Sequence, residues 1–262
     1  MFQPNPVAFE ILGLEVRWYG ILIASGMMLG SLLLYKRAPK HNLDPEKMLD
    51  LIILGIPLGV IGARVYYVLF NLDSYINANG NIDFMKAINI RLGGLAIHGG
   101  LIFAFIGVIL LCRYYRYHPL NVLDLAVPGI ALAQAIGRWG NFFNAEAHGG
   151  PTDLPWGIWV NGQTVHPTFL YESLWCLGLC ILLIYIDNRR VFVGQTFLLY
   201  TSLYSLERFF VEGLRTDSLM LGSLRQAQVL SSLVIIVSLI AYYYFKKRSK
   251  EIDKTNGMEK IE

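Results

Sequence analysis

The sequence predicts an all-α polytopic integral membrane protein. Seven transmembrane helices are expected, with the N-terminus outside, the C-terminus cytoplasmic and small extracellular loops. Three observations carry this expectation. Of 262 residues, 55% are hydrophobic and only 16% are charged, whereas soluble domains carry about 25% charged residues. Apolar runs of about 20 residues, the length that spans a bilayer's hydrocarbon core, recur along the chain. The lysines and arginines sort to one side of those runs.

The spans are drawn at about 16–36, 48–70, 94–113, 121–140, 167–187, 193–212 and 226–245. No basic segment precedes the first run, so that run is expected to stay as a helix rather than act as a cleaved signal. Asp44 and Pro45 read as the cap and first residue of the second helix. Asn121 and Asp124 are expected to open the fourth in the same way, and Pro57 and Pro128 to kink their helices. In the outer loop 71–92, Asn-Ala-Asn-Gly-Asn reads as a turn before a short interfacial helix capped by Asp83. In the loop 150–166, Asn161-Gly162 signals a hairpin, and Trp156 and Trp159 suit a headgroup layer. Residues 1–245 form one membrane catalytic domain, and 246–262 a charged cytoplasmic tail. No internal repeat is apparent.

Lys36, Arg37, Lys40, Lys47, Arg113, Arg116, Arg189, Arg190 and the six basic residues after position 245 fall on one side of these spans. Arg17, Lys86, Arg91, Arg215 and Arg225 fall on the other. The positive-inside rule makes the first side cytoplasmic. Arg64, Arg138 and Arg208 lie within spans or at their ends.

Candidate chemistry gathers at the outward ends. Gly137-Arg138-Trp-Gly140-Asn141-Phe-Phe-Asn144-Ala-Glu146-Ala-His148-Gly149 follows an almost wholly apolar run. An arginine at the centre of a membrane helix costs roughly 2.5–3.5 kcal/mol on insertion scales, so it is kept where something polar meets it. An anionic lipid headgroup is one such partner, since a guanidinium fork matches phosphate oxygens. Arg138 has no acidic neighbour at helical spacing before it. Tyr204, Arg208 and Glu212 are spaced by four and share a helix face. They make either an anion site or a mutually neutralising pair. His98, flanked by Gly93, Gly94, Gly99 and Gly100, is either a packing residue or a base with space beside it. Tyr19 is either an interfacial anchor or a site residue. His166-Pro-Thr-Phe-Leu-Tyr171-Glu172 is a weaker cluster at the start of the fifth span.

Glu146, His148 and His166 lack paired ligand spacing, so no metal is expected. Cys112, Cys176 and Cys180 lie in or beside apolar runs and read as buried free thiols. Serine-hydrolase, zinc-protease and phosphate-loop signatures are absent from the sequence. An organic-anion secondary transporter would show inverted repeats and a midplane site. A non-catalytic scaffold would not need arginines at membrane depth.

The thirteen-residue run 137–149 resembles the signature of the bacterial phosphatidylglycerol–prolipoprotein diacylglyceryl transferase family. Val16-Arg-Trp-Tyr-Gly, His98-Gly-Gly, His166-Pro-Thr-Phe-Leu-Tyr-Glu and Arg208-Phe-Phe-Val-Glu-Gly-Leu-Arg-Thr-Asp match in order and spacing, so the resemblance runs from about Pro6 to Tyr244. Trp139 and His148 look like the variant of Gram-positive members, and the 141–166 loop is short compared with some others. The resemblance implies a multi-pass enzyme of the bacterial plasma membrane with its active site facing the outer leaflet. It would move the diacylglyceryl group of phosphatidylglycerol to the lipobox cysteine thiol of a preprolipoprotein. A thioether forms and glycerol phosphate leaves. The expected partners are phosphatidylglycerol, lipobox signal peptides and the bilayer, with no nucleic acid, no metal and no cofactor. On this resemblance Arg138 clamps the phosphate, with Asn141, Asn144, Glu146 and Gly149 in the lipid site. Arg208, positioned by Glu212 and Tyr204, meets the leaving oxygen. His98 or Tyr19 takes the thiol proton.

Overall fold

The computed structural model describes residues 5–11, 13–77, 80–90, 93–160, 162–216 and 218–258, with side chains to Glu251. The chain is dominated by helices: α1 Trp18–Arg37, α2 Pro45–Phe70, α3 Phe84–Ile88, α4 Ile97–Tyr115, α5 Pro119–Phe143, α6 Thr168–Asp187, α7 Gln195–Leu214 and α8 Gln226–Met258. Among the described residues, six stretches are long and apolar enough to cross a membrane: Trp18–His41, α2, α4, α5, α6 and Gln226–Glu251. α7 is not among them; it carries Glu207, Arg208 and Glu212. The chain is thus a mostly helical, multi-pass membrane protein.

Three short antiparallel hairpins accompany the helices: β1 Val7–Ile11 with β2 Leu14–Arg17, β3 Ile158–Val160 with β4 Gln163–Val165, and β5 Met220–Leu221 with β6 Leu224–Arg225. The β3–β4 pair is the hairpin expected from Asn161-Gly162, although Asn161 lies outside the described residues. The other two hairpins were not anticipated. β1–β2 occupies the approach to the first helix, which starts at Trp18 rather than near residue 16. Asp83 caps α3 by accepting from the Lys86 N–H at 3.0 Å, and Asp44 caps α2 by accepting from Glu46.

The chain divides into two compact units, residues 35–122 and residues 1–34 with 123–262. In the first, α2 packs on α4 through backbone contact. A Cβ placed on Gly62 would stand 2.6 Å from the Gly99 carbonyl oxygen, too close for any side chain. Gly100 likewise faces the Gly59 carbonyl. The space that Gly99 and Gly100 leave beside His98 is therefore filled by α2, which corrects the expectation that these glycines keep room for a substrate. Arg64, on α2 and buried, spends its guanidinium on backbone carbonyls. Nε donates to Ala87 at 2.7 Å, Nη1 to Gly93 and Gly94 at 2.6 and 2.9 Å, and Nη2 to Lys86 and Asn89 at 2.9 and 3.0 Å. Asn121 donates from Nδ2 to the His41 carbonyl, so it joins two turns rather than capping α5, which already starts at Pro119.

In the second unit, α5, α6 and α7 share a buried cluster of Val127, Ala131, Leu179, Cys180, Leu183 and Tyr200. Lipid is as apolar as these side chains, so close van der Waals packing, not water exclusion, must hold such helices together. Small residues make that packing possible between α1 and α5. A Cβ on Gly30 would approach the Gly129 carbonyl to 2.6 Å, and one on Gly26 the Ala133 carbonyl to 2.9 Å. Asp124 does not open α5. It is buried within that helix and caps α7 instead, accepting from the Gly194 and Phe197 N–H groups at 2.6 and 2.8 Å and from Arg190 at 3.2 Å. Gly194, the N-cap of α7 at φ 99°, has no side chain with which to cap its own helix, and Asp124 fills that role.

Candidate active site

Three helices bring five charged side chains together inside the second unit. α5 contributes Arg138, α6 contributes Glu172, and α7 contributes Glu207, Arg208 and Glu212. Glu172 is almost wholly buried and bridges the two arginines. Its Oε1 accepts from Arg208 Nη1 at 3.0 Å, and its Oε2 lies 3.1 Å from Arg138 Nη1. The second contact is close enough for an ion pair but is not aligned as a hydrogen bond, since that buried oxygen has no hydrogen-bond donor. Arg208 also reaches Glu212, four residues on, at 2.5 Å. The sequence offered this pair as one of two alternatives, and the ion pair forms. The acidic partner that Arg138 lacks along its own helix comes from α6.

The Tyr204 hydroxyl accepts from Arg138 Nη2 at 3.3 Å. Its contact is therefore with the first arginine, although it was expected to position the second. Tyr204 stacks on Tyr200, whose hydroxyl donates to Gln134 Oε1 at 2.9 Å. Arg225, from β6, donates to the Glu212 carbonyl and ties the far end of α7 to the last hairpin. Both arginine side chains remain about one-fifth exposed (21% and 22%), against 1% for Glu172 and 5% for Glu212. The arginine side chains thus stay partly accessible while their counter-ions are buried. Two accessible guanidinium side chains are chemically suited to a phosphate or carboxylate.

The other expected site residues fall in groups. Asn141 and Asn144 both donate from Nδ2 to Glu146 Oε1, at 3.1 and 3.2 Å, in the turn that ends α5. Ala145 and Ala147 hold left-handed conformations there, at φ 51° and 54°, which folds the signature back on itself. Gly149 donates its N–H to the His166 carbonyl at 3.0 Å and pairs with Arg215 in an isolated bridge. A Cβ at that position would strike the His166 Cβ at 2.7 Å. Gly149 therefore fastens the signature loop to the start of α6 and the end of α7. Tyr19 lays its ring against Gly140, so the signature glycine is small because an aromatic ring covers it. His98 belongs to the other unit. It is the second residue of α4, exposed, with its ring centroid 6.3 Å from that of Tyr66. Cys112, Cys176 and Cys180 are buried.

Sequence reasoning gave Glu172 and Glu207 no role. Glu172 hid because its arginines lie on other helices, 36 residues away in the case of Arg208. The available signal was the residue itself, an acid one turn into the apolar run of α6.

A family model described as prolipoprotein diacylglyceryl transferase matches residues 6–244. A relative from Clostridioides difficile (strain 630), named phosphatidylglycerol–prolipoprotein diacylglyceryl transferase, is 48% identical over 244 residues, covering 93% of this chain and 96% of the relative. Proteins of the same name from Clostridium novyi (strain NT) and Finegoldia magna are 50% and 47% identical, covering 90% and 95% of this chain and 94% and 98% of their own. With the arginine signature, the matching order of its satellite motifs and this likeness over nearly the whole length, the chain belongs to the prolipoprotein diacylglyceryl transferase family.

Proposed function

We propose that this chain transfers the diacylglyceryl group of phosphatidylglycerol to the lipobox cysteine of a preprolipoprotein. The observation that carries the reading is the pair of partly exposed arginines from different helices, bridged by the buried Glu172. Family membership gives no support to the organic-anion transporter considered from the sequence. In the reaction, the substrate thiolate attacks the sp³ glyceryl carbon that bears the phosphate ester. The C–S bond forms, the C–O bond breaks, and the electron pair stays on the phosphate oxygen. Glycerol phosphate leaves and the thiol proton passes to a base. Arg138 and Arg208 hold the phosphate and stabilise the charge that develops on its leaving oxygen. Glu172 and Glu212 fix the two guanidinium planes. Asn141, Asn144 and Glu146 form the lip of the lipid site, and Gly149 anchors it. The resemblance assigns the thiol proton to His98 or Tyr19, and it calls for no cofactor.

In this reading α7 is the seventh span. It is as long as α6, and its Arg208 pairs with Glu172 of α6, the carboxylate that also meets Arg138 of α5. The N-terminus is then outside, the tail cytoplasmic and the site at the outer leaflet of the plasma membrane, as the basic residues favour. Incubating the purified protein with labelled phosphatidylglycerol and a lipobox peptide tests the proposal. Label should move to the peptide cysteine, and glycerol phosphate should appear in equal amount. A folded preparation that transfers no label overturns the reading.

A further inference from the structure

Glu207 is the one member of the charged cluster that the reaction above does not use. It is 4% exposed, and neither carboxylate oxygen has a hydrogen-bond partner. The charged groups acting on it are Glu172 of α6 and Arg138 of α5, with Arg208 beside it on α7. Cys176 of α6 and Tyr204 of α7 also face it, both uncharged near neutral pH. The apolar part of α8 packed against α7, Gln226–Tyr244, carries no ionisable group except its terminal tyrosines. Arg138, Arg208, Glu172 and Glu212 balance one another, two charges against two. The protonation of Glu207 therefore changes by one the net charge with which the site meets an anion.

We propose that Glu207 sets the charge of the phosphate site, so that the anionic headgroup binds with a proton on this carboxyl and is weakened when that proton leaves. This rests on the lipid-phosphate reading given above. The argument is one of linkage. A phosphodiester keeps its single negative charge throughout the neutral range. If phosphate and an ionised Glu207 repel across a buried cluster, then each lowers the affinity of the site for the other, and reciprocally phosphate binding draws a proton onto the carboxyl. No hydrogen bond from Glu207 to the lipid is required. Its role is electrostatic, and it is a positioning residue rather than a catalytic one.

The test is equilibrium binding of short-chain phosphatidylglycerol to the purified full chain in neutral detergent, without acceptor peptide, from about pH 5 to about pH 9. Short-chain phosphatidylcholine serves as the control. Wild-type affinity should fall as pH rises, with a limiting slope of about tenfold per pH unit for one linked proton. Glu207→Gln fixes the uncharged form in nearly the same shape. It should bind across the whole range as tightly as wild type at its acid plateau. Glu207→Asp keeps a titrating carboxyl and should keep the slope. A pH-independent wild type overturns the inference, as does a glutamine variant that retains the wild-type slope. So does a folded glutamine variant that binds weakly at every pH. Should the glutamine variant not fold, calorimetry of wild type in two buffers of different ionisation heat decides: uptake of about one proton supports the inference and none overturns it. A wild type that binds phosphatidylglycerol no better than phosphatidylcholine at any pH sinks the lipid-phosphate reading itself, whereas pH-independent but selective binding sinks the inference alone.

Discussion

Arg64, Arg138 and Arg208 lie in helices read as spans, and their partners divide them into two kinds. Arg64 donates to five carbonyls of the 86–94 segment and has nothing left for a ligand. Arg138 and Arg208 meet carboxylates, and their side chains stay partly exposed. The sequence showed all three as arginines at membrane depth, but only Arg138 and Arg208 stand in motifs with other polar residues. It had no means of showing that Arg64 binds backbone, because carbonyls are present in every sequence. Substitutions should separate the two kinds. Arg138→Lys keeps the charge but loses the fork, and should lower diacylglyceryl transfer about 10–100-fold with little change in thermal midpoint. Arg64→Lys replaces a five-donor plane with a single ammonium. Each lost bond from a charged donor is worth roughly 1.5–3 kcal/mol, so the midpoint of the detergent-solubilised protein should drop by several degrees before activity per folded molecule changes. His98→Gln keeps the hydrogen bonding and cannot serve as a base. If His98 takes the thiol proton, the variant should be slow near neutral pH and recover toward alkaline pH, where a thiol of pKa about 8.5 ionises unaided. A deficit equal at every pH would assign His98 to packing and leave the proton to Tyr19.

Among the elements, hydropathy located the membrane helices to within a few residues, because a long apolar run has few other ways to exist in a membrane, except at the end of α8, which was drawn to 245 and continues to Met258. The caps were less legible. Asp44 and Asp83 cap the helices that follow them directly in sequence, and were read correctly. Asp124 serves a helix 70 residues away, which no local pattern announces. The β1–β2 hairpin left a visible trace in the alternation of Glu10 with Phe9 and Ile11, but its turn ends in Gly13 without an Asn or Asp before it, so the strong hairpin signature was missing. The Asp124 cap yields a firm expectation. Asp124→Ala leaves two backbone N–H groups and Arg190 without their shared acceptor. Removing one partner of a buried ion pair costs about 3–5 kcal/mol, so thermal unfolding of the purified variant should shift strongly downward. Asp124→Asn, which keeps an acceptor oxygen, should recover part of that loss.

At the scale of the whole molecule, the basic residues are its most legible property. Fourteen of the 22 lysines and arginines collect on one side of the spans drawn from the sequence. That asymmetry predicts that a reporter active only in the cytoplasm will be active when fused after the tail, and that one active only outside will be silent there. The reverse result would mean an even number of crossings, with α7 excluded from the membrane. The charged cluster was legible only by halves. Arg138, Arg208, Tyr204 and Glu212 stood out because each sits in a dense polar motif. Glu172, at the end of the weaker cluster, and Glu207, directly before Arg208, were given no role, because the meaning of an acid in an apolar helix depends on which neighbours the packing brings to it.

The way Arg64 holds the 86–94 segment bears on how this protein can diverge. Every acceptor it uses belongs to the main chain, so the grip does not depend on the side chains of Lys86, Ala87 or Asn89, whereas a Cβ on Gly94 would stand 2.7 Å from Arg64 Nη1. Replacing Lys86, Ala87 or Asn89 by other residues leaves each carbonyl in place. Adding or removing one residue between Asn89 and Gly93 shifts carbonyls out of a fixed, planar set of donors and breaks several bonds together. Positions 86, 87 and 89 are thus free to drift in composition while the glycines at 93 and 94, both at φ 80°, and the segment's length are locked, a tolerance opposite to that of most surface loops, which accept insertions readily.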